Sequence, residues 1–315
     1  MRKATMSQTV NETNGHGTFG IGAWGVALGH GLSQIFFQAD IVTGALILAA
    51  FVVADWRMAV LVALGSLASS AAGLLFGSKM PTVRDGMQGF CGALVGAATF
   101  AALGGQVAAY PIAVLGGAVC APVTWLVVWL FTHEPLKPLN LPFTTAPFCI
   151  VATGVFFSTI PLHTSSANSP VSDSVAVALF QSLLTNVSQV VLVNSVWAGA
   201  LILLGLFIAS WKVGIAAVIG SVVGSLSALA MNESLNTIGN GLAGYSGVLS
   251  AIALAVVFVK GSWGSWLLAI IGTIVTAAVT LLMHQQSGPI YTWPYILTTW
   301  VFLVIVRFVP RLTLA

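Results

Sequence analysis

Apolar residues in this chain come in blocks long enough to cross a bilayer, with polar residues confined to short gaps between them. Clear runs occupy roughly 41–56, 58–77, 88–105 and 107–131, and a fifth starts near Leu141 and ends near Ile160. A polar stretch, His163 to Asp173, follows. Runs then resume at roughly 196–210, 212–230, 243–260 and 264–283, with a last one from Thr292 to about Val309. A weaker apolar segment precedes each set, at 18–37 and at 174–193, and both close on Ser-Gln. The first is broken by Gly20, Gly22, Gly25, Gly29 and Gly31, so it reads as a half-helix dipping into the bilayer rather than a full span.

The two sets share one register. Adding 155 to a residue number carries Ser33-Gln34 onto Ser188-Gln189 and Gly44-Ala45-Leu46-Ile47 onto Gly199-Ala200-Leu201-Ile202. The same shift takes Trp56 to Trp211, Gly65-Ser66 to Gly220-Ser221, and Gly89, Gly92 and Leu94 to Gly244, Gly247 and Leu249. Apolar runs resemble each other by chance, but an ungapped register of Gln, Trp, Ser and Gly does not arise that way. The pattern predicts an internal duplication.

Each half also carries Pro-x-x-Thr-x-Pro followed by an aromatic: Pro142 to Phe148, and Pro289 to Tyr295. Prolines flanking a threonine free backbone carbonyls, which a bilayer tolerates only against protein or a wet cavity. One such site reads as a kink. Two, related by 147 residues, predict broken helices meeting at a solute path.

Composition fixes the class. The 315 residues are 58% hydrophobic and 5% charged, against about 25% charged in soluble domains, so the chain is a polytopic membrane protein. Cys91, Cys120 and Cys149 stand singly in apolar runs without metal-ligand spacing, and read as small buried hydrophobes. The polar start, to about Gly17, leads into a glycine-rich stretch with no small-residue cleavage site, and predicts no removable signal peptide.

Loop charge then predicts topology. With five full spans per half, Arg2, Lys3, Lys79, Arg84, Lys137, Lys212, Lys260, Arg307 and Arg311 fall on one side and only Arg57 on the other. Nine of the ten basic residues on one face predicts that both termini are cytoplasmic. An odd number of spans makes the second half enter from the opposite side. The predicted fold is therefore all-α, with two inverted five-span repeats, each with an extra re-entrant half-helix, enclosing a central pore. Its parts are a cytoplasmic tail at 1–17, a first repeat at 18–162, a periplasmic linker at 163–173, a second repeat at 174–310 and a short tail at 311–315.

Both halves carry the same chemistry. Each has a glutamine at a half-helix end, an aromatic after glycine, a leucine one turn on and the Thr-Pro site. These are Gln34, Phe90, Leu94 and Thr145 in the first half, and Gln189, Tyr245, Leu249 and Thr292 in the second. Spacing alone fits ordinary helix packing, but a glutamine within lipid is costly unless hydrogen-bonded or wetted. Flat aromatic and leucyl walls with an edge of carbonyls, hydroxyls and amides suit a small, planar, neutral solute rich in N–H groups. Half-helix N-termini pointing inward would discourage cations. Asp40, opposite Ser195 in the repeat, reads as an interfacial acid rather than a proton relay.

On Ser33-Gln34, Gly89-Phe90-Cys91-Gly92-Ala93-Leu94-Val95-Gly96, Gly244-Tyr245-Ser246-Gly247-Val248-Leu249 and the two Thr-Pro sites, the chain resembles the urea transporter family from about Gly17 onward. The resemblance implies a homotrimer in a bacterial inner membrane, with one pore per subunit, down which urea diffuses passively without a cofactor. It implies that Gln34 and Gln189 bind urea at the pore ends. It also implies that Phe37, Phe90 and Leu94, with Leu192, Tyr245 and Leu249, wall two slots, and that Thr145 and Thr292 stand at the constriction. Tyr245 stands where the family usually has phenylalanine, Leu192 stands opposite Phe37 without an aromatic ring, and Cys91 and Ser246 occupy positions often held by asparagine or serine.

Other readings leave different marks. Gly244-Tyr245-Ser246-Gly247 fits an intramembrane serine-protease motif, with His284 as a base, but its repeat counterpart Gly89-Phe90-Cys91-Gly92 has no serine. An ammonium channel would pair its histidines, whereas His16, His30, His133, His163 and His284 are scattered. A water or polyol channel would carry twin Asn-Pro-Ala breaks, and the sequence has none. Short amides, ammonia and water remain alternative solutes. Nothing in the sequence points to a nucleotide, a coupling ion or nucleic acid as partner.

Overall fold

A computed structural model describes residues 20–164 and 171–315. The tail at 1–17, with Arg2, Lys3 and His16, lies outside the described residues, as does 165–170 of the central linker. The first half forms α1 (Ile21–Gln34), α2 (Ile41–Ala54), α3 (Trp56–Leu75), α4 (Met80–Arg84), α5 (Phe90–Leu103), α6 (Ala109–Thr132) and α7 (Ala146–Ser158). The second forms α8 (Val175–Gln189), α9 (Val196–Ala209), α10 (Trp211–Ala230), α11 (Leu235–Gly239), α12 (Tyr245–Ile252), α13 (Trp263–His284) and α14 (Trp293–Val306). Past α12 the backbone widens into a π-turn at Ala253–Val257. Among the described residues there is no strand.

Among the described residues four helices, α3, α6, α10 and α13, are long and apolar enough to cross a bilayer, and six further apolar helices are shorter. The chain is thus an all-helical, polytopic membrane protein. Helix ends follow local chemistry. Asp40 caps α2 by accepting from the Thr43 amide at 2.7 Å, and Asp55 both ends α2 and caps α3 through the Arg57 amide at 2.8 Å. Ser195 and Ser210 stand at the same junctions in the second half.

The shared register reaches the elements themselves. Offsetting α2, α3 and α4 by 155 residues reproduces the bounds of α9, α10 and α11, and α5 and α12 start 155 residues apart. Unusual backbone repeats with it. Phe37 and Leu192 have φ of 62° and 60°, and Gly86 and Gly241 have φ of 80° and 74°. Two left-handed non-glycine residues at equivalent positions are not coincidence, because each carries a steric cost.

Small residues let helices touch. A Cβ built on Gly44 of α2 would lie 2.0 Å from the Gly29 carbonyl oxygen of α1, and one on Gly199 of α9 would lie 2.0 Å from the Leu184 oxygen of α8. At Gly65 three helices meet. Its carbonyl oxygen would be 2.2 Å from a Cβ at Gly92 and 2.4 Å from one at Gly117. Dispersion between closely packed backbones replaces the hydrophobic drive that lipid cannot supply. The resulting core runs through both halves, joining Leu94 and Phe148 to Leu249 and Tyr295.

Candidate solute-binding site

The glutamines at the ends of α1 and α8 are both fixed by short helices that the apolar pattern did not predict. Gln34 Nε2 donates to the Asp85 carbonyl and Gln189 Nε2 to the Asn240 carbonyl, each at 3.0 Å. Asp85 and Asn240 are the C-cap residues of α4 and α11, where helical carbonyls lack intrahelical partners. The five-residue helices thus deliver one orphan acceptor to each glutamine. Three residues on, the left-handed turns at Phe37 and Leu192 end these segments.

The Thr-Pro sites are helix starts rather than kinks within helices. Thr145 and Thr292 are the N-cap residues of α7 and α14, with Pro147 and Pro294 in first turns that need no proline N–H. Each is preceded by a left-handed residue, Thr144 at φ 51° and Tyr291 at φ 42°. An N-cap threonine ordinarily turns its hydroxyl onto its own helix, and neither does so here. Instead Thr145 Oγ1 and Thr292 Oγ1 bond each other at 2.7 Å, and Cys149 Sγ lies 3.2 Å from Thr292 Oγ1. Both threonines are buried. With 13 and 14 residues, α7 and α14 are about 20 Å long, well short of the ~30 Å hydrocarbon layer. Two short helices therefore start head to head in the protein interior.

Rings surround this point. Phe90 stacks on Phe143 with centroids 5.8 Å apart. Phe37 packs edge-on against Phe258 and Tyr295, at 5.6 and 6.3 Å, so its ring partners lie in the second half. Phe148 leans on Tyr291 at 5.0 Å. Leu94 and Leu249 are fully buried one turn along α5 and α12. Of the second-half candidates, Gln189, Leu192, Tyr245 and Thr292 line one cavity of about 230 Å³, together with Phe148, Tyr291 and His284. Leu249 stays behind that wall in the core.

Several residues at this site were not legible beforehand. Phe148, Tyr291 and Tyr295 entered the sequence reading only as parts of the Thr-Pro pattern. The same 147-residue offset that pairs the threonines also pairs Phe148 with Tyr295, and that signal would have singled them out. Polar atoms are left over at the centre too. Among the described residues, Thr144 Oγ1, Tyr295 Oη and Ser246 Oγ are buried without a hydrogen-bond partner. Ser246 therefore meets no base, His284 included, and the motif around it forms no nucleophile–base pair. One difference between the halves is chemical: Tyr245 Oη donates to the Tyr291 carbonyl, a bond that Phe90 cannot make.

Membrane-crossing helices, close glycine contacts and a buried polar point at which two short helices meet define a polytopic membrane protein. The family model "UT: Urea transporter" matches residues 26–307, and the chain belongs to that family, whose members are transporters rather than enzymes. It is 28% identical over 296 residues to urea transporter 1 of Rattus norvegicus, covering 90% of this chain and 77% of that protein. Urea transporter 1 of Ovis aries is 27% identical over 301 residues, with the same coverage, and that of Mus musculus 26% over 296.

Proposed function

We propose that the protein lets urea diffuse down its gradient through a narrow path that each subunit encloses between two inverted repeats. The head-to-head contact of Thr145 and Thr292 carries this reading. Repeat-equivalent residues that touch lie beside the axis relating the halves, and half-helix ends at such an axis mark solute sites in transporters built from inverted repeats. Along the path Gln34 and Gln189 bind the solute at the two ends. Phe37, Phe90 and Leu94 form one slot, Leu192, Tyr245 and Leu249 the other, and the threonines form the midpoint. Membership of the urea transporter family supports urea over other small neutral solutes. The remaining parts of the reading are a bacterial inner membrane, cytoplasmic termini and a homotrimer in lipid.

The chemistry is solvent substitution. Urea leaves water only where its N–H groups find acceptors and its carbonyl finds donors. Flat rings exclude bulkier or hydrated solutes, while the N-terminal ends of α7 and α14 disfavour cations. Stopped-flow measurements on proteoliposomes test this, with acetamide, glycerol and water alongside. Urea uptake that is fast, gradient-driven and independent of pH and sodium is the expected result. Urea flux equal to that of empty liposomes, with another solute moving, overturns the substrate.

A sharper expectation concerns Tyr245. Its hydroxyl occupies the Tyr291 carbonyl, an acceptor beside the cavity that also holds Gln189 and Thr292. Tyr245→Phe frees that oxygen and restores the ring type of the first half. A hydrogen bond gained by the solute is worth about 1 kcal/mol, so urea flux in this variant rises roughly fivefold relative to water flux. An unchanged ratio would remove Tyr245 from the path.

A further inference from the structure

The two halves differ at one surface notch, and the difference points to a ligand. In the first half Arg57, the second residue of α3, folds back on Asp55, with Nη2 2.6 Å from Oδ2. Its side chain fills the notch beside the α5–α6 junction, where a Cβ on Gly105 would lie 2.6 Å from Arg57 Cδ. The repeat counterpart of Arg57 is Lys212, but that of Asp55 is Ser210, so the neutralising carboxylate is gone. Among the described residues Lys212 has no acid within ion-pair distance. Its one recorded contact is the face of Trp211, 5.8 Å away. The notch is open as well. Gly261, at the corresponding α12–α13 junction, has nothing within 4 Å of a built Cβ. A cleft of about 490 Å³ lies there, lined by Lys212, Val256, Gly261, Ser262, Trp263 and Trp266.

Depth in the membrane narrows the occupant. The cleft contains the first residues of α10 and α13, both long enough to span, so it lies at a membrane surface. Trp211 and Trp263 are exposed there, as expected of side chains at headgroup level. The whole chain carries only seven acidic residues, so another copy has little to offer an unpaired lysine. We propose that this cleft holds the phosphate-bearing headgroup of an anionic phospholipid, with Lys212 as its charge partner. The assignment does not depend on what the protein transports.

Native mass spectrometry of the full chain in neutral detergent tests it, titrating phosphatidylglycerol and phosphatidylcholine of matched acyl chains. A basic side chain near a membrane surface is worth about 1 kcal/mol toward an anionic lipid, so the wild type retains phosphatidylglycerol roughly fivefold better. Lys212→Ser and Ser210→Asp, the second restoring the first half's carboxylate, both remove that preference. Lys137→Ser, a basic loop position elsewhere, keeps it. Both test positions are at the surface, and an unchanged elution volume verifies folding. A preference that survives in Lys212→Ser overturns the proposal. So does displacement of the lipid by millimolar inorganic phosphate, which would mark a site for free anions. A change in copy number without a change in bound lipid would make the cleft a contact between copies, and also overturns it.

Discussion

Urea flux through a Thr145→Val, Thr292→Val double variant is expected to fall roughly tenfold to a hundredfold, while folded yield stays at the wild-type level. The two hydroxyls bond each other at 2.7 Å, at the midpoint of the proposed path. On the proposed path a solute passes by exchanging that bond for its own: its N–H groups donate to the threonine oxygens and its carbonyl accepts from their hydrogens. Valine keeps the shape of threonine and offers neither. Each hydrogen bond denied to a desolvated solute costs about 1–3 kcal/mol, and about 1.4 kcal/mol is a factor of ten in rate. Stability responds differently, because removing both partners of a buried hydrogen bond with groups of the same shape is close to neutral. The single Thr145→Val variant leaves Thr292 with Cys149 Sγ 3.2 Å away, and is milder. Stopped-flow flux normalised to protein per liposome reads the result. Wild-type flux from a well-folded double variant would remove the threonines from the path.

The second large effect is on folding. Gly44→Ala and Gly199→Ala are each expected to cost on the order of 3 kcal/mol and to lower the yield of monodisperse protein sharply. In both cases the new methyl would lie 2.0 Å from a backbone carbonyl oxygen, which cannot rotate away as a side chain could. The helices must separate, and the contacts between α1 and α2, or α8 and α9, loosen along their length. Gly154→Ala supplies the control. Nothing lies within 4 Å of its built Cβ, and alanine's higher helix propensity makes that variant as stable as the wild type or more so. Thermal unfolding in detergent, followed by size-exclusion elution, compares the three. Equal midpoints would mean that the halves do not rely on these contacts.

The register shared by the two halves was legible in the chain because it rests on residues with few alternatives. Asp40 stands just before the run at 41–56 and caps the helix that begins there. The glutamines and the Thr-Pro sites stood out because lipid penalises unpaired amides and freed carbonyls, and both proved to be helix ends. The short helices α4 and α11 were not legible, since five residues beside glycine carry no periodic signal. The π-turn at Ala253–Val257 was equally silent, because an apolar run looks the same whichever carbonyl each amide reaches. Nor could spacing reveal that Phe37 turns to Phe258 and Tyr295. That contact joins residues far apart in sequence and depends on how the halves dock.

The Thr145–Thr292 contact has a consequence for directionality. The two hydroxyl oxygens are sequence-repeat equivalents 2.7 Å apart, so in the proposed inverted-repeat arrangement each lies about half that distance from the axis exchanging the halves. On the proposed path a molecule arriving there from either face of the membrane meets the same two hydroxyls, with Cys149 Sγ beside Thr292 as a difference between the two approaches. The hydroxyl pair by itself is then blind to the direction of travel. Any difference in how the two faces saturate, or in which blockers each admits, must then arise from what surrounds that pair. It falls to the places where the copies have drifted apart, with Tyr245 standing for Phe90 and Leu192 for Phe37.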